Sequence, residues 1–417
     1  MQSPTTSHWP VHAPFHRVRK TWLLGFALLL GSSTHAQYWR GCGRGIIGGP
    51  PQVNCLYSDS AADRLLVGGS FLYIKNELDT IRGAGQAVWN GTRWDSLAHA
   101  ITPIGTNSSV QATQWYVRHQ GELLACGGWA LVLQPGVFTS GIARLNEEER
   151  RWEPLVCLNP NGRISNLVPE FPQANLYATG FADTLCGSGV SNVFRYDGDS
   201  FQPWEPFAQI PWGHNNIVNH VFDYRGKTYM TGFFRDPFAE GSASFMRFNG
   251  SGWEYVPGWN ALAPIKDVKI YNDILYVSGA FHMAQGSPGN LVAAFDGEQW
   301  NSMGGGLAHP SNPASGAALD MEWFQGELYV CGLFHQAGGV AVDGIAKWDG
   351  NRWCGLPGDF QAQNHGLGLL SDMAVWRDSL YVAGSFYQLD GDPTITMVAQ
   401  WIGGEATGNC SPGMEVA

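Results

Sequence analysis

The 417-residue sequence predicts an all-β protein of seven four-stranded antiparallel units, and three observations carry that expectation. A motif of the form Leu-Tyr-Val-x-Gly-x-Phe recurs seven times, as LLVGGSF, LLACGGW, LYATGFA, TYMTGFF, LYVSGAF, LYVCGLF and LYVAGSF. Its fifth residue marks each copy: Gly69, Gly127, Gly180, Gly232, Gly279, Gly332 and Gly384, at spacings of 58, 53, 52, 47, 53 and 52 residues. The composition, with 54 Gly, 18 Trp and only 14% charged residues, suits short strands joined by tight turns. A period near fifty with no helical stretch between copies indicates the blades of a β-propeller, in which each sheet buries both faces against its neighbours. An open parallel β-helix is the competing architecture, but its coils are shorter and need no hairpin in each repeat.

The elements of a blade are clearest in residues 319–358. A first apolar strand, LDMEWF (319–324), turns at QGE into the Leu-Tyr-Val strand, whose β-branched and aromatic alternation suits a sheet. A variable loop leads to a third strand, IAKW (345–348), and then to an Asp-Gly or Asn-Gly pair. Asn90-Gly91, Asp197-Gly198, Asn249-Gly250, Asp296-Gly297 and Asp349-Gly350 share this slot and suggest a two-residue type I′ hairpin with positive φ at both positions. Three residues past the Gly an aromatic opens the fourth strand: Trp94, Phe201, Trp253, Trp300 and Trp353. In the second copy the turn lengthens to NEEERR and Trp152 fills the slot.

The seventh copy lacks this last piece. Its third strand, MVAQW (397–401), runs into IGGEATGNCSPGMEVA with no aromatic to open a fourth strand. In the other copies the fourth-strand aromatic precedes the next marker Gly by 26 to 33 residues, and Trp39 precedes Gly69 by 30. Residues 37–43 are therefore expected to supply the outer strand of blade seven, closing a propeller over residues 37–404 and leaving 405–417 as a tail. An open ring would expose two blade faces, so this closure is a stability element. Residues 1–36 read as a secretory signal: Arg17, Arg19 and Lys20 flank the apolar run Trp22–Leu30, and Thr34 and Ala36 offer small residues for cleavage. The run is shorter than the roughly 20 residues a membrane span needs. A signal anchor is the alternative. The expectation is a monomer with no membrane span, secreted or held at the cell surface.

The order LYVxG, an aromatic followed by Asp-Gly, then Trp, resembles the kelch-type repeat of the galactose-oxidase central-domain propellers. It is closer still to repeats reading LYVGGxFxxAGGxxxxxIAxWDGxxWxxLG in secreted bacterial surface proteins and in the fungal cortical bud-site markers. The resemblance covers nearly all of residues 37–404 and implies fold far more than activity. The Gly-Gly doublet of kelch repeats survives only at Gly68-Gly69 and Gly127-Gly128. The paired Tyr and His ligands and cross-linked Cys of the copper oxidases on this fold have no counterpart here. Such bacterial proteins often continue into a C-terminal sorting module; a chain ending at CSPGMEVA either lacks one or is a fragment.

The formal charge of −11 falls to −14 without the three cations of residues 1–36, and no Lys/Arg cluster follows. Nucleic acid and anionic lipid are thus unsuitable partners. No G-x-S-x-G elbow, H-E-x-x-H, phosphate loop or C-x-x-C pair is present. YDGDS (196–200) and LDGDP (389–393) resemble calcium loops but lack the remaining ligands, so no cofactor is implied and calcium is the one metal worth testing.

The best candidate constellation is His220, Asp267, Asp320 and Asp372, each twelve residues before a marker Gly. In four consecutive blades they would place one His and three carboxylates around a mouth of the central channel, where ligands bind. The plainer reading, which the sequence favours, is that they satisfy backbone groups on the inner strands. His282 and His335 follow the motif Phe in adjacent copies and read as one loop template used twice. Trp129, Trp212 and Trp259 in longer loops are candidates for stacking on sugars.

Eight cysteines in an exported chain permit disulfides. Cys126 and Cys331, each before a marker Gly, read as core thiols; Cys331 and Cys354, two strands apart in one blade, are out of mutual reach. Cys157 and Cys186 form a plausible pair, while Cys42 and Cys410 flank the proposed closure and are placed to clasp it, with Cys42–Cys55 as the rival. The function expected is a non-enzymatic module binding a protein or glycan. The alternative is an extracellular carbohydrate-active enzyme with acids at the channel mouth.

Overall fold

In the computed structural model the chain divides into residues 1–36 and 37–417. The structure describes residues 39–47, 51–98, 113–134, 137–155, 163–169, 176–181, 192–196, 201–204, 217–236, 238–309, 315–363, 366–403 and 410–411. The leader expected over residues 1–36 and the pair Cys157–Cys186 lie outside them. No helix among the described residues is long and apolar enough to cross a membrane.

The fold is all-β, a repeat protein of the propeller kind. Among the described residues seven sheets have four strands, all paired antiparallel in the order first-second-third-fourth. The sixth is typical: Ala317–Phe324, Glu327–Leu333, Ile345–Trp348 and Trp353–Gly355. The first strands of the seven sheets are Gln52–Asp59, Thr113–His119, Arg163–Pro169, Ile217–Tyr224, Ile265–Tyr271, Ala317–Phe324 and Leu369–Trp376. Each packs beside the first strand of the next sheet, and Gln52–Asp59 also packs beside Leu369–Trp376.

In the seventh sheet the outer position is taken by Trp39–Gly41, paired antiparallel with Val398–Trp401 so that Trp39 faces Trp401. Trp39 is 1% exposed, packs edge-on against Trp401 and Phe360, and donates Nε1–H to the Pro357 carbonyl of sheet six at 2.6 Å. The same bond joins other neighbours. Trp94 Nε1 donates to the Cys42 carbonyl, Trp353 Nε1 to that of Met303 and Trp300 Nε1 to that of Pro257, at 2.6, 2.6 and 2.7 Å. The indole that opens a fourth strand is thus a pin into the preceding sheet.

The apolar core lies between sheets. Seven clusters each draw side chains from two consecutive sheets; the one holding Val53, Leu65 and Trp89 of sheet one also holds Trp376, Tyr381 and Val398 of sheet seven. The marker glycines recur for a reason within each sheet. A Cβ on Gly332 would stand 2.1 Å from the Ala317 carbonyl oxygen of the paired inner strand, and one on Gly384 would stand 1.9 Å from that of Leu369. Close approach of two backbones, not a turn, fixes the residue.

The hairpin expectation needs correction. In the third-to-fourth connection the facing residues are Trp89 and Trp94, or Trp348 and Trp353, which leaves four residues between them. Only the glycine takes positive φ there, as at Gly91 and Gly350. The preceding Asn or Asp caps the loop instead: Asn90 Oδ1 accepts from Thr92 and Arg93 N–H, and Asp349 Oδ1 from Asn351 and Arg352 N–H. The two-residue turn with positive φ at both positions sits between the first and second strands. It is built from Gln120-Gly121, Arg225-Gly226, Asn272-Asp273, Gln325-Gly326 and Arg377-Asp378.

The cysteine clasp also differs. Cys410 is bonded to Cys354, 56 residues away, and Cys42, Cys55 and Cys331 are buried free thiols. Cys410 pairs as a β-bridge beside the outer strand of sheet six, where Ser411 N–H donates to the Trp353 carbonyl at 2.7 Å and Ser411 Oγ accepts from Trp353 N–H. Part of the expected tail is therefore docked, one sheet away from the N-terminal strand. Cys42 instead faces the Trp94 indole through its own carbonyl.

Candidate functional site

All seven first strands share a β-bulge near their start, at Asn54, Gln114, Ser165, Asn219, Lys266, Leu319 and Ser371. The bulge turns the next residue toward the following sheet. That residue is Cys55, Trp115, Asn166, His220, Asp267, Asp320 and Asp372 in turn, so the four predicted side chains do occupy one repeated position. Counting back twelve residues misses Cys55 and Asn166, because the first hairpins of their sheets are longer.

Each of the four spends an atom on the next sheet. His220 Nε2 donates to the Lys266 carbonyl at 2.8 Å. Asp267 Oδ2 accepts from Met321 N–H at 3.1 Å, Asp320 Oδ2 from Met373 N–H at 2.8 Å, and Asp372 Oδ2 from Leu56 N–H at 2.5 Å. Asn166 donates to the Asn219 carbonyl in the same way. The chemistry follows the group presented: Asn and His meet a carbonyl one residue before the equivalent position, and Asp meets an N–H one residue after it. Bulge residues add bonds, with Asn54 to the Thr113 carbonyl, Asn219 to that of Ile265 and Ser371 to that of Val53. The last joins sheet seven to sheet one, as does the Asp372 bond.

A recess of about 360 Å³ opens where these strands meet. Lys269, Asp320, Glu322 and Asp372 line one part of it, and Tyr57, Trp115 and Tyr116 another. Sequence reading missed Lys269 and Glu322, which lie two residues beyond Asp267 and Asp320 on the same strand face. Lys269 Nζ stands 3.7 Å from Asp267 Oδ2 and 3.6 Å from Glu322 Oε2. One ammonium among four carboxyl groups cannot hold all of them ionised. Burial pushes Asp372 up to about 7, despite its hydrogen bond from Leu56 and the nearby Lys269. Burial and then the Asp372 charge raise Asp320 as well. Burial likewise raises Glu322, against the pull of Lys269. For Lys269 burial opposes the charge, but Asp267, Asp320 and Glu322 outweigh it and keep the ammonium protonated. Burial lowers His220, so its ring is neutral at pH 7, as a donor to a carbonyl can be.

Of the four predicted side chains Asp320 and Asp372 line the recess, and the other candidates do not join it. His282 is 9% exposed with its pKa lowered by burial, and His335 lies edge-on to His309. Trp259 is not a loop-surface aromatic: it is 6% exposed, packs on Phe281 and Trp300, and donates Nε1–H to Ser244 Oγ and the Ala261 carbonyl. The Trp129 side chain and Trp212 lie outside the described residues. Asp392 caps Thr394 through its N–H and hydroxyl, and Asp197 and Asp199 are outside the described residues. Among the described residues no three His, Cys, Asp or Glu side chains converge as a metal site.

Sheet topology and the inter-sheet relay thus define a repeat β-propeller with a polar recess at its inner strands. No protein-family model matches the chain, and no curated protein matches it in sequence. Among solved structures it is similar to the computationally designed Ika8 protein (10% identity, 87% of this chain and 99% of that one, TM-score 0.41). It is also similar to the RRP9 WD40 repeats (10% identity, 87% and 98%, TM-score 0.48).

Proposed function

We propose that residues 37–404 form a seven-bladed, kelch-like ring closed by the N-terminal strand, exported behind a cleaved leader, and that the protein acts as a binding or surface-interaction module without catalysis. The observation that supports this most is the relay from Asn166 to Asp372. Predicted site residues are fixed by backbone bonds to the next sheet, so the walls of the recess are set before any ligand arrives. Connections of unequal length on a rigid scaffold are the usual place for recognition. The test is a glycan and protein binding array probed with the purified protein, followed by hydrolysis assays on any glycan captured. Saturable capture of one class is expected; no capture of either class overturns the reading.

A second reading draws on the same recess. Asp372, raised to about 7 beside other carboxyls, has the protonation a general acid needs, as in an enzyme cleaving polysaccharide. It requires product formation that disappears in Asp372→Asn and Asp320→Asn while both variants still fold. Binding without turnover favours the module.

A further inference from the structure

Two recesses sit at the same place in the repeat. One, of about 330 Å³, lies between sheets five and six and is lined by Tyr276, Asp296, Gln299, Trp300, Asn301 and Trp348. The other, of about 450 Å³, lies between sheets seven and one. The registers make them equivalent. Asn301 follows Trp300 as Arg40 follows Trp39, each opening a fourth strand, and Trp348 with Gly350 corresponds to Trp89 with Gly91.

Their polar groups are employed differently. Between sheets seven and one, Arg40 bonds Gln400 Oε1, and Arg93 pairs with Asp79 Oδ2 at 3.2 Å. There Asn76 bonds Asp79 Oδ1 and both the N–H and carbonyl of Trp94, and Thr92 Oγ1 donates to Asn90. Most polar side chains of that recess are thus bonded to its own walls, with the buried Trp89 Nε1 the exception. Between sheets five and six the Tyr276 hydroxyl and the Gln299 side-chain amide make no hydrogen bond among the described residues. Asn301 uses Oδ1 on Met303 N–H and leaves its Nδ2 donors unspent; Asp296 uses Oδ1 on Glu298 and Gln299 N–H and leaves Oδ2.

These unspent groups stand around held aromatic rings. Trp300 stacks on Phe295 at 4.6 Å and is pinned by its bond to Pro257, and Tyr276 lies edge-on to Trp323 at 5.4 Å. Aromatic rings beside a mixed set of phenol, amide and carboxylate suit a pyranose, whose C–H face covers a ring while its hydroxyls both donate and accept. The two backbone N–H bonds keep Asp296 ionised, and among the described residues no Lys or Arg lines the recess, so phosphate, sulfate and uronate are disfavoured. The volume is that of a small-ligand site.

We infer that the recess between sheets five and six is a glycan subsite for a neutral hexopyranose unit, an inference that rests on the binding-module reading and names its ligand class. Calorimetric titration of the purified protein with cellotetraose, maltotetraose, galactobiose, chitotriose and, as the charged control, trigalacturonate tests it. At least one neutral oligosaccharide should bind saturably. Tyr276→Ala and Gln299→Ala should each weaken it about tenfold, the loss of roughly one hydrogen bond or ring contact, with the melt of Gln299→Ala unchanged. Thr92→Ala in the equivalent recess should leave the affinity unaltered. Neutral sugars that bind equally well to Tyr276→Ala and Gln299→Ala overturn the subsite while leaving the module reading intact. Preference for trigalacturonate, or no binding by any of the five when the array captures a protein, also overturns it. An array with no captured ligand overturns the parent reading itself.

Discussion

Replacing Asp372 by Asn should flatten the pH dependence of stability between pH 4 and 8. Asp372 is 8% exposed, and burial raises its carboxyl to about 7 in the folded protein, against about 3.9 when unfolded. A carboxyl with a raised folded pKa favours folding fully below about pH 4, and that contribution is lost as pH rises through about 7. The gap of about three units, at about 1.36 kcal/mol each, bounds the loss at about 4 kcal/mol. Asn cannot ionise, yet its carbonyl can still accept the Leu56 N–H, so the link between sheets seven and one survives. Asp320 is raised by burial and by Asp372, so the residual slope should also shrink once that charge is gone. Urea unfolding of both proteins at pH 4, 5.5, 7 and 8 is the assay. The wild type should weaken toward pH 8 and the variant much less; parallel profiles would refute the reasoning.

Three further outcomes are expected. Trp39→Ala removes a side chain 1% exposed and should cost about 3–5 kcal/mol in urea unfolding, whereas Ile402→Ala, 46% exposed, should change stability by less than about 0.5 kcal/mol. Asp59 is a buried carboxylate held by Arg64 at 3.0 Å and Arg118 at 2.7 Å, so Asp59→Asn should cost about 3–5 kcal/mol at pH 7. Burial works to raise Asp59, but Arg118 and Arg64 outweigh it and lower its pKa; its contribution is present above about pH 4 and fades as pH falls, so the gap between the proteins should narrow at pH 3. Cys410→Ser opens a 56-residue loop, and chain entropy sets its cost at up to about 4 kcal/mol, measured as a fall in the urea midpoint.

The repeat was legible because it is written in residues that backbone approach and burial leave no choice over. The marker glycines have no room for a Cβ, and the fourth-strand indoles of Trp39, Trp94, Trp152, Trp300 and Trp353 are hydrogen-bonded between sheets. Position within the hairpins was less legible. Asn-Gly and Asp-Gly suggest a type I′ turn by composition, but here the Asn or Asp side chain caps a longer loop, and Arg377-Asp378 adopts the double positive φ with no glycine at all. The acids of the inner strands were found by a fixed offset, while their role depends on the bulge beside them and on which backbone group the next sheet presents. Neither leaves a pattern in a single strand. Lys269 and Glu322 went unnoticed because alternate residues of one strand acquire meaning only when another strand faces them. The clasp expected between Cys42 and Cys410 fails because proximity to the chain's ends says nothing of the sheet to which the tail docks.

The central claim is a ring completed by its N-terminal strand. It is tested most directly by deleting residues 37–43 and following thermal unfolding with and without a synthetic peptide of residues 37–47. The account predicts a fall in melting temperature of roughly 5–10 °C or more, restored in part by saturating peptide. A deletion that melts with the intact protein, indifferent to peptide, would contradict it.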